Sequence, residues 1–168
     1  MDNYSLMFEG VDCVGKSSII KEFNKNREFE VRITQRPLNL QDSKKIYKNL
    51  VDRIEKGHYL FDRGFISELV YAPKYRDYEP DFIEDLMART RNNVIYVFVD
   101  ADLEVVKSRF DFDFIDIDDI KGLQQSFYLA SDFEWINFIN IDTTNRTVEE
   151  SSELLRKRLE ENYGITDL

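Results

Sequence analysis

Residues 10–17 read Gly10-Val11-Asp12-Cys13-Val14-Gly15-Lys16-Ser17, a glycine-rich phosphate-binding loop with every fixed position filled. Two glycines, a lysine and a hydroxyl at this spacing form a nest of backbone N–H donors for the phosphates of a nucleotide. The loop requires a strand before it and a helix after it, and both are present. Tyr4-Ser5-Leu6-Met7-Phe8 is a short apolar run suited to a buried strand, and 17–24 has helical spacing with Ile19, Ile20 and Phe23 on one face. In that frame Gly10, Val11, Cys13, Val14, Gly15 and Ser18 line the phosphates of ATP. Lys16 reaches the β- and γ-phosphates, and the Ser17 hydroxyl is a ligand for Mg²⁺. A glycine turn between unrelated elements would explain the loop but not its flanks.

Strand-like and helix-like stretches alternate through the rest of the chain. Strands are expected at 29–34, 58–62, 94–99 and 138–141, and helices at 43–56, 81–90, 103–110, 120–131 and 148–162, with a loop or short helix after Gly64. Val94-Ile95-Tyr96-Val97-Phe98-Val99 is continuously apolar, as a strand buried on both faces is. Five strands with helical crossovers predict an α/β fold: a three-layer α/β/α sandwich around a five-stranded, mostly parallel sheet, of the P-loop NTPase type. At 168 residues one domain is expected. Ligands in such sheets bind outside the carboxyl ends of the strands, where every candidate residue below falls.

With 33 acidic and 23 basic residues the net charge is −10, which disfavours a surface built to grip long nucleic acid. It does not exclude a nucleotide substrate in one locally basic pocket. No apolar run approaches the ~18 residues of a membrane span, and Met1-Asp2-Asn3-Tyr4 does not read as the basic, then apolar, pattern expected of a signal peptide. Cys13 is the single cysteine, so no internal disulfide forms and a cytoplasmic setting is expected.

The guanine-reading Asn-Lys-x-Asp of GTPases is absent: Asn24-Lys25-Asn26-Arg27 lacks the Asp and comes too early. Asp119-Ile120-Lys121-Gly122 fits a switch pattern but follows no strand. A small kinase of nucleotides or nucleosides remains. The chain resembles the thymidylate kinases, within the wider deoxynucleoside and nucleoside monophosphate kinases. The resemblance is carried by Glu9-Gly10-Val11-Asp12 with Gly15-Lys16-Ser17, and by Asp62-Arg63 with Ser67 and Tyr71 five and nine residues after the Asp. Gln35-Arg36-Pro37, the segment 99–105 with Arg109, and Ile141-Asp142-Thr143-Thr144 continue it in the right order. It implies Mg²⁺·ATP as donor, a deoxynucleoside monophosphate as acceptor, and Thr143 beside the adenine. Asp12, Arg36, Asp62, Arg63, Ser67 and Tyr71 would hold the acceptor, and Lys16, Arg63, Arg109 and Asp12 would form the catalytic set. Asp62 joins Ser17 at the metal. A homodimer is left open, since family members commonly pair through helices and no stripe in this sequence decides it.

The chain departs from that pattern in three places. Only about a dozen residues separate Pro37 from the helix around Val51, where full-length members carry a longer helical insert that reads the base. The short form is similar to versions encoded by bacteriophages, and base contact passes to Tyr47 or Tyr71. The loop has Cys13 where an arginine can stand, and the lid at about 110–120 has five acids and no base over 111–119. Phe112, Phe114, Ile115 and Ile117 make that lid one of buried apolar and solvated acidic side chains.

Phosphoryl transfer needs positioning and charge stabilisation, so the cations matter most. Arg63 offers a bidentate fork to phosphate, and Arg109 is the remaining stabiliser. Glu9 fits a base on a 5′-hydroxyl as well as a structural acid. His58 reads as structural. The expected activity is phosphorylation of a deoxynucleoside monophosphate to the diphosphate. The alternatives are a deoxynucleoside kinase, a kinase of a modified base in DNA, and a nucleotide-binding protein without catalysis.

Overall fold

The computed structural model describes residues 4–110 and 117–166. Five strands, β1 (Ser5–Glu9), β2 (Glu30–Ile33), β3 (Tyr59–Asp62), β4 (Val94–Asp100) and β5 (Asn137–Asp142), form one sheet in the order β2-β3-β1-β4-β5. All four pairings are parallel, with Leu6 opposite both Leu60 and Ile95 and Val97 opposite Ile139. The helices are α1 (Lys16–Phe23), α2 (Leu40–Ile54), α3 (Phe65–Tyr75), α4 (Ile83–Thr90), α5 (Leu103–Arg109), α6 (Ile117–Ser131) and α7 (Val148–Tyr163).

Right-handed crossovers dictate the layers. The β1–β2 connection runs toward one edge and puts α1 on one face, where it packs on α7. The later crossovers run the other way, and α2, α3, α4, α5 and α6 pack against one another on the opposite face. The direction of travel changes beside β1, so the crevice at the ends of β1 and β4 is the topological switch point. This is the three-layer α/β/α sandwich read from the sequence.

The sheet is the core. Every residue of β1 and β4 is buried, and Leu6, Met7, Phe8, Ile95 and Val97 have no solvent exposure. Each such side chain contributes about 1.5–3 kcal/mol by leaving water. The edge strand β2 is exposed throughout, consistent with its mixed composition.

Differences from the sequence reading have local causes. The loop or short helix expected after Gly64 is a helix, α3, and it runs to 11 residues. Pro73 lies inside it and removes the bond to Leu69 O, the signal that argues against a full helix. Helix α2 begins at Leu40, earlier than Ser43, because the Asn39 side chain accepts the Asp42 N–H at 3.0 Å and caps it. Helix α6 begins at Ile117, so Asp119-Ile120-Lys121-Gly122 is helical and no switch loop. His58 has φ 63° and packs its ring against Tyr4 and Phe29, a structural residue as expected. The lid residues Phe112, Phe114 and Ile115 and the acids at 111, 113 and 116 lie outside the described residues, as does the Ile117 side chain. Among the described residues no helix is long and apolar enough to cross a membrane.

Candidate functional site

The loop leaves β1 at Glu9 and meets α1 at Lys16. Gly10 has φ 134°, and a Cβ there would lie 2.2 Å from Val99 O, so only glycine lets the loop rest on the end of β4. Gly15, at φ 98°, sets the first turn of α1. Cys13 takes a left-handed φ of 63°, a conformation that costs a non-glycine residue about 1–2 kcal/mol.

Lys16 is buried, and its ammonium donates to Gly10 O at 3.0 Å and Val11 O at 2.5 Å, which holds it over the loop. Burial, and then the charge of Arg63, push its pKa down to about 8. Ser17 Oγ donates to Asp62 Oδ2 at 2.6 Å, joining the start of α1 to the end of β3. This pair presents two hard oxygens beside the loop. Among the described residues no cluster of three metal-ligating side chains occurs. A magnesium at a phosphate site needs none, because one or two protein oxygens, waters and substrate phosphates complete its shell.

Arg63 follows Asp62 with φ 70°, which swings its side chain back over the loop. Its Nη1 donates to Gly10 O at 3.0 Å and to Ser67 Oγ at 3.3 Å, and its Nη2 to Asp12 Oδ1 at 2.5 Å. The guanidinium lies 5.0 Å from the centre of the Tyr71 ring, a cation–π contact. Asp12, Asp62, Arg63, Ser67 and Tyr71, all named from the sequence, are thereby brought together.

Two cavities border the phosphate loop. The larger, about 460 Å³, is walled by Asp12, Arg36, Arg63, Ser67, Tyr71 and a further set including Gln35, Glu68 and Arg76. The smaller, about 320 Å³, is walled by Cys13, Val14, Gly15, Ser18, Arg109, Thr143 and Arg146. Arg109 reaches Thr143 with two bonds of 3.0 Å, to its Oγ1 and its carbonyl, and Cys13 O at 3.4 Å. The Thr143 hydroxyl donates to Val14 O at 2.8 Å, clipping the loop to the end of β5. Arg109 thus belongs to the smaller cavity and Arg63 to the larger.

Glu9 has no solvent exposure and walls neither cavity. It accepts the N–H groups of Ile66 and Ser67 at 3.0 and 3.1 Å, and the Ser67 hydroxyl. Burial raises its pKa to about 7 against these lowering contacts. These bonds make it a clamp for the first turn of α3. Tyr47 walls the larger cavity with Tyr71; it is largely buried, its ring packs 5.8 Å from Phe65, and its hydroxyl donates to Gly64 O and to Glu68.

Sequence reasoning missed Glu68 and Arg76. Glu68 is buried and accepts from Ser43, Tyr47, Tyr78 and Arg76. A charge pair eight residues apart, on a segment read as a loop or short helix, gives no local signal. Their role emerges only once α3 is a helix forming one wall of the larger cavity.

No protein-family model matches the chain. The SPbeta prophage-derived protein YorR of Bacillus subtilis is 27% identical over 111 residues, spanning 62% of this chain and 66% of that protein. The thymidylate kinase of Campylobacter jejuni is 23% identical over 190 aligned positions, spanning 93% of this chain and 97% of that one. Among solved structures, YorR in complex with phosphorylated GDP superposes with a TM-score of 0.78 at 22% identity, covering 95% of this chain and 98% of that one. An unliganded sugar kinase from a Janibacter species superposes with a TM-score of 0.63 at 14% identity, covering 96% and 97%. The sheet order, the phosphate loop and these likenesses agree on the conclusion that the chain has the α/β fold of the P-loop kinases.

Proposed function

We propose that this chain is a kinase that transfers the γ-phosphoryl group of Mg²⁺·ATP to the phosphate of a deoxynucleoside monophosphate, giving the diphosphate and ADP. The observation that carries the reading is the position of Arg63, which walls the larger cavity while bonded to Gly10 O and Asp12 of the phosphate loop, whose residues Cys13, Val14 and Gly15 wall the smaller one. A donor in the smaller cavity and an acceptor in the larger one would face each other across Lys16 and Arg63. The thymidylate kinase likeness, which spans nearly the whole chain, supports a nucleotide as acceptor.

The acceptor-side cations favour an anion over a neutral hydroxyl. Arg63 and the exposed Arg36 both wall the larger cavity, and a guanidinium fork matches phosphate oxygens. A neutral hydroxyl acceptor would need a base, and the Glu9 carboxylate is already engaged by the Ile66 and Ser67 N–H groups of α3. An ionised phosphate needs none.

The residues then divide the work. One oxygen of the acceptor phosphate attacks the γ-phosphorus, and the bond to the β-phosphate oxygen breaks as ADP leaves. Lys16 neutralises charge on the β- and γ-phosphates, and Arg63 orients the acceptor phosphate and stabilises the charge that spreads over the transferring oxygens. Ser17 and Asp62 would hold magnesium, whose part when bound is to neutralise and orient the triphosphate. Arg109 and Thr143 brace the donor side.

The test is ADP release with and without acceptor. A kinase of this kind is expected to release ADP at least ~100-fold faster when a deoxynucleoside monophosphate is present, the scale of a positioned acceptor. Tight ATP binding with acceptor-independent release would instead mark a nucleotide-binding protein.

A further inference from the structure

Strand β2 is the open edge of the sheet: the strand order puts it outermost, and it packs chiefly on β3. Glu30 N–H donates to His58 O at 3.3 Å and Thr34 N–H to Asp62 O at 3.1 Å. Residues 30, 32 and 34 therefore turn their main chain to β3, and by the alternation of a strand Val31 and Ile33 turn theirs outward. The preceding outward position is sealed. Phe29 N–H donates to Asn24 Oδ1 at 3.2 Å, and its carbonyl accepts from Asn24 Nδ2 at 3.0 Å. Val31 and Ile33 remain, presenting two N–H donors and two carbonyl acceptors along the edge.

Their side chains do not protect that edge. Edge strands are commonly blunted by a lone charge, a proline or a bulge. Ile33 is 77% exposed and Val31 42%, both apolar and β-branched. The charges of Arg32 and Glu30 are spent on each other in an ion pair along the strand.

A second copy of this chain fits the edge. Turned round by a two-fold axis, it sets Val31 of each copy opposite Ile33 of the other, and every outward donor meets an acceptor. The cross-strand pairs so formed are apolar and β-branched, a stabilising combination. Arg32 then faces Arg32 of the other copy. Each keeps its own Glu30 and gains the other copy's Glu30 on the diagonal, within reach of a long side chain. Moving the pairing by two residues sets Ile33 against Phe29, whose N–H is taken by Asn24, or Val31 against Gln35, beyond the strand.

We propose that two copies of this chain associate through β2, as an antiparallel strand pair with Arg32 at the two-fold axis. The contact is small against the ~1,200–2,000 Å² of stable interfaces, so the dimer is weak and depends on concentration. It adjoins the larger cavity through the chain: Thr34, next after Ile33, walls that cavity, and its hydroxyl donates to Arg63 O at 2.6 Å.

Sedimentation equilibrium of the full chain from about 5 to about 500 μM is expected to show a monomer–dimer equilibrium, with a dissociation constant of roughly 10–100 μM. Ile33→Lys alters an exposed side chain and leaves the bonds to β3 in place. It is expected to weaken the dimer at least ~10-fold, with an unshifted thermal midpoint at low concentration. Disulfide trapping reads the register, in chains carrying Cys13→Ser so that one introduced cysteine reports. Arg32→Cys sets two cysteines across a non-hydrogen-bonded pair, Cα atoms ~4.5 Å apart, and is expected to give a disulfide dimer under mild oxidation. Val31→Cys leaves its Cα atoms roughly 8–9 Å apart and is expected to give at least ~10-fold less. A chain monomeric throughout that range, a dimer that Ile33→Lys leaves intact, or trapping at residue 31 in preference to 32 overturns the proposal.

Discussion

Arg63 and Asp12 meet over the phosphate loop, with Arg63 Nη2 donating to Asp12 Oδ1 at 2.5 Å. The pair joins the residue after β3 to the turn after β1, 51 positions apart in the chain. The Asp12 side chain is 64% exposed, so the attraction adds little stability. Its consequence is geometric: the guanidinium is turned toward the loop and the larger cavity rather than into solvent.

Arg63→Ala is expected to lower kcat by about a hundredfold or more, since a cation at a transferring phosphoryl group is worth that and beyond. ATP affinity should change less than about threefold, because the donor cavity does not include Arg63. Steady-state kinetics with a separate ATP titration checks both. Asp12→Asn should raise the acceptor KM several-fold with a smaller loss in kcat.

ATP binding should weaken with rising pH. Lys16 has a pKa near 8 in the free protein, and its charge is what the phosphates bind, so the complex raises that pKa. Above pH 8 binding must take up a proton, and affinity is expected to fall by up to about tenfold per pH unit until the pKa of the complex is reached. Titrations from neutral to alkaline pH without acceptor measure it. Lys16→Met should bind weakly and show no such slope.

Glu9 predicts a pH effect on stability rather than on catalysis. Its folded pKa of about 7 lies above the ordinary 4.5, so between these values the folded state holds a proton that the unfolded state has released. Stability from this group is therefore full below pH 4.5 and is lost as pH rises toward 7. Urea unfolding of wild type and Glu9→Gln, from about pH 5 to about pH 8, isolates it. Wild type is expected to lose about 1 kcal/mol or more relative to the variant over that range, since a tenfold difference in proton affinity between the two states corresponds to about 1.4 kcal/mol.

Cys13 walls the smaller cavity beside Arg109. Iodoacetamide is expected to modify it, and saturating ATP to slow modification by about tenfold or more, followed by mass spectrometry of the intact chain. Labelling that ignores ATP would remove the donor from this cavity.

The fold was legible because its signals are local. A continuous apolar β4, a phosphate loop with every fixed residue, and 3–4-residue apolar spacing in α2 and α7 each stand in a short window. The phosphate side of the site was legible for the same reason: Lys16 and Ser17 sit in one octapeptide and Asp62-Arg63 ends a strand. What the sequence could not show depends on tertiary placement. Arg109 contacts Thr143 across 34 residues and so walls the smaller cavity. Glu9 is ambiguous until the N-terminus of α3 is seen to clamp it. Glu68 and Arg76 are hidden because Pro73 disguises the helix that sets them along one wall.

The central claim is that the larger cavity takes a deoxynucleotide whose phosphate receives the γ-phosphoryl group. Phosphorus NMR of wild type and Lys16→Ala with Mg²⁺·ATP, against all deoxynucleosides, their monophosphates and a short DNA, tests it most directly. The account predicts paired β- and α-phosphate resonances of a deoxynucleoside diphosphate, formed by wild type only. New monophosphate from a nucleoside, a phosphorylated DNA strand, or full activity in Lys16→Ala would contradict it.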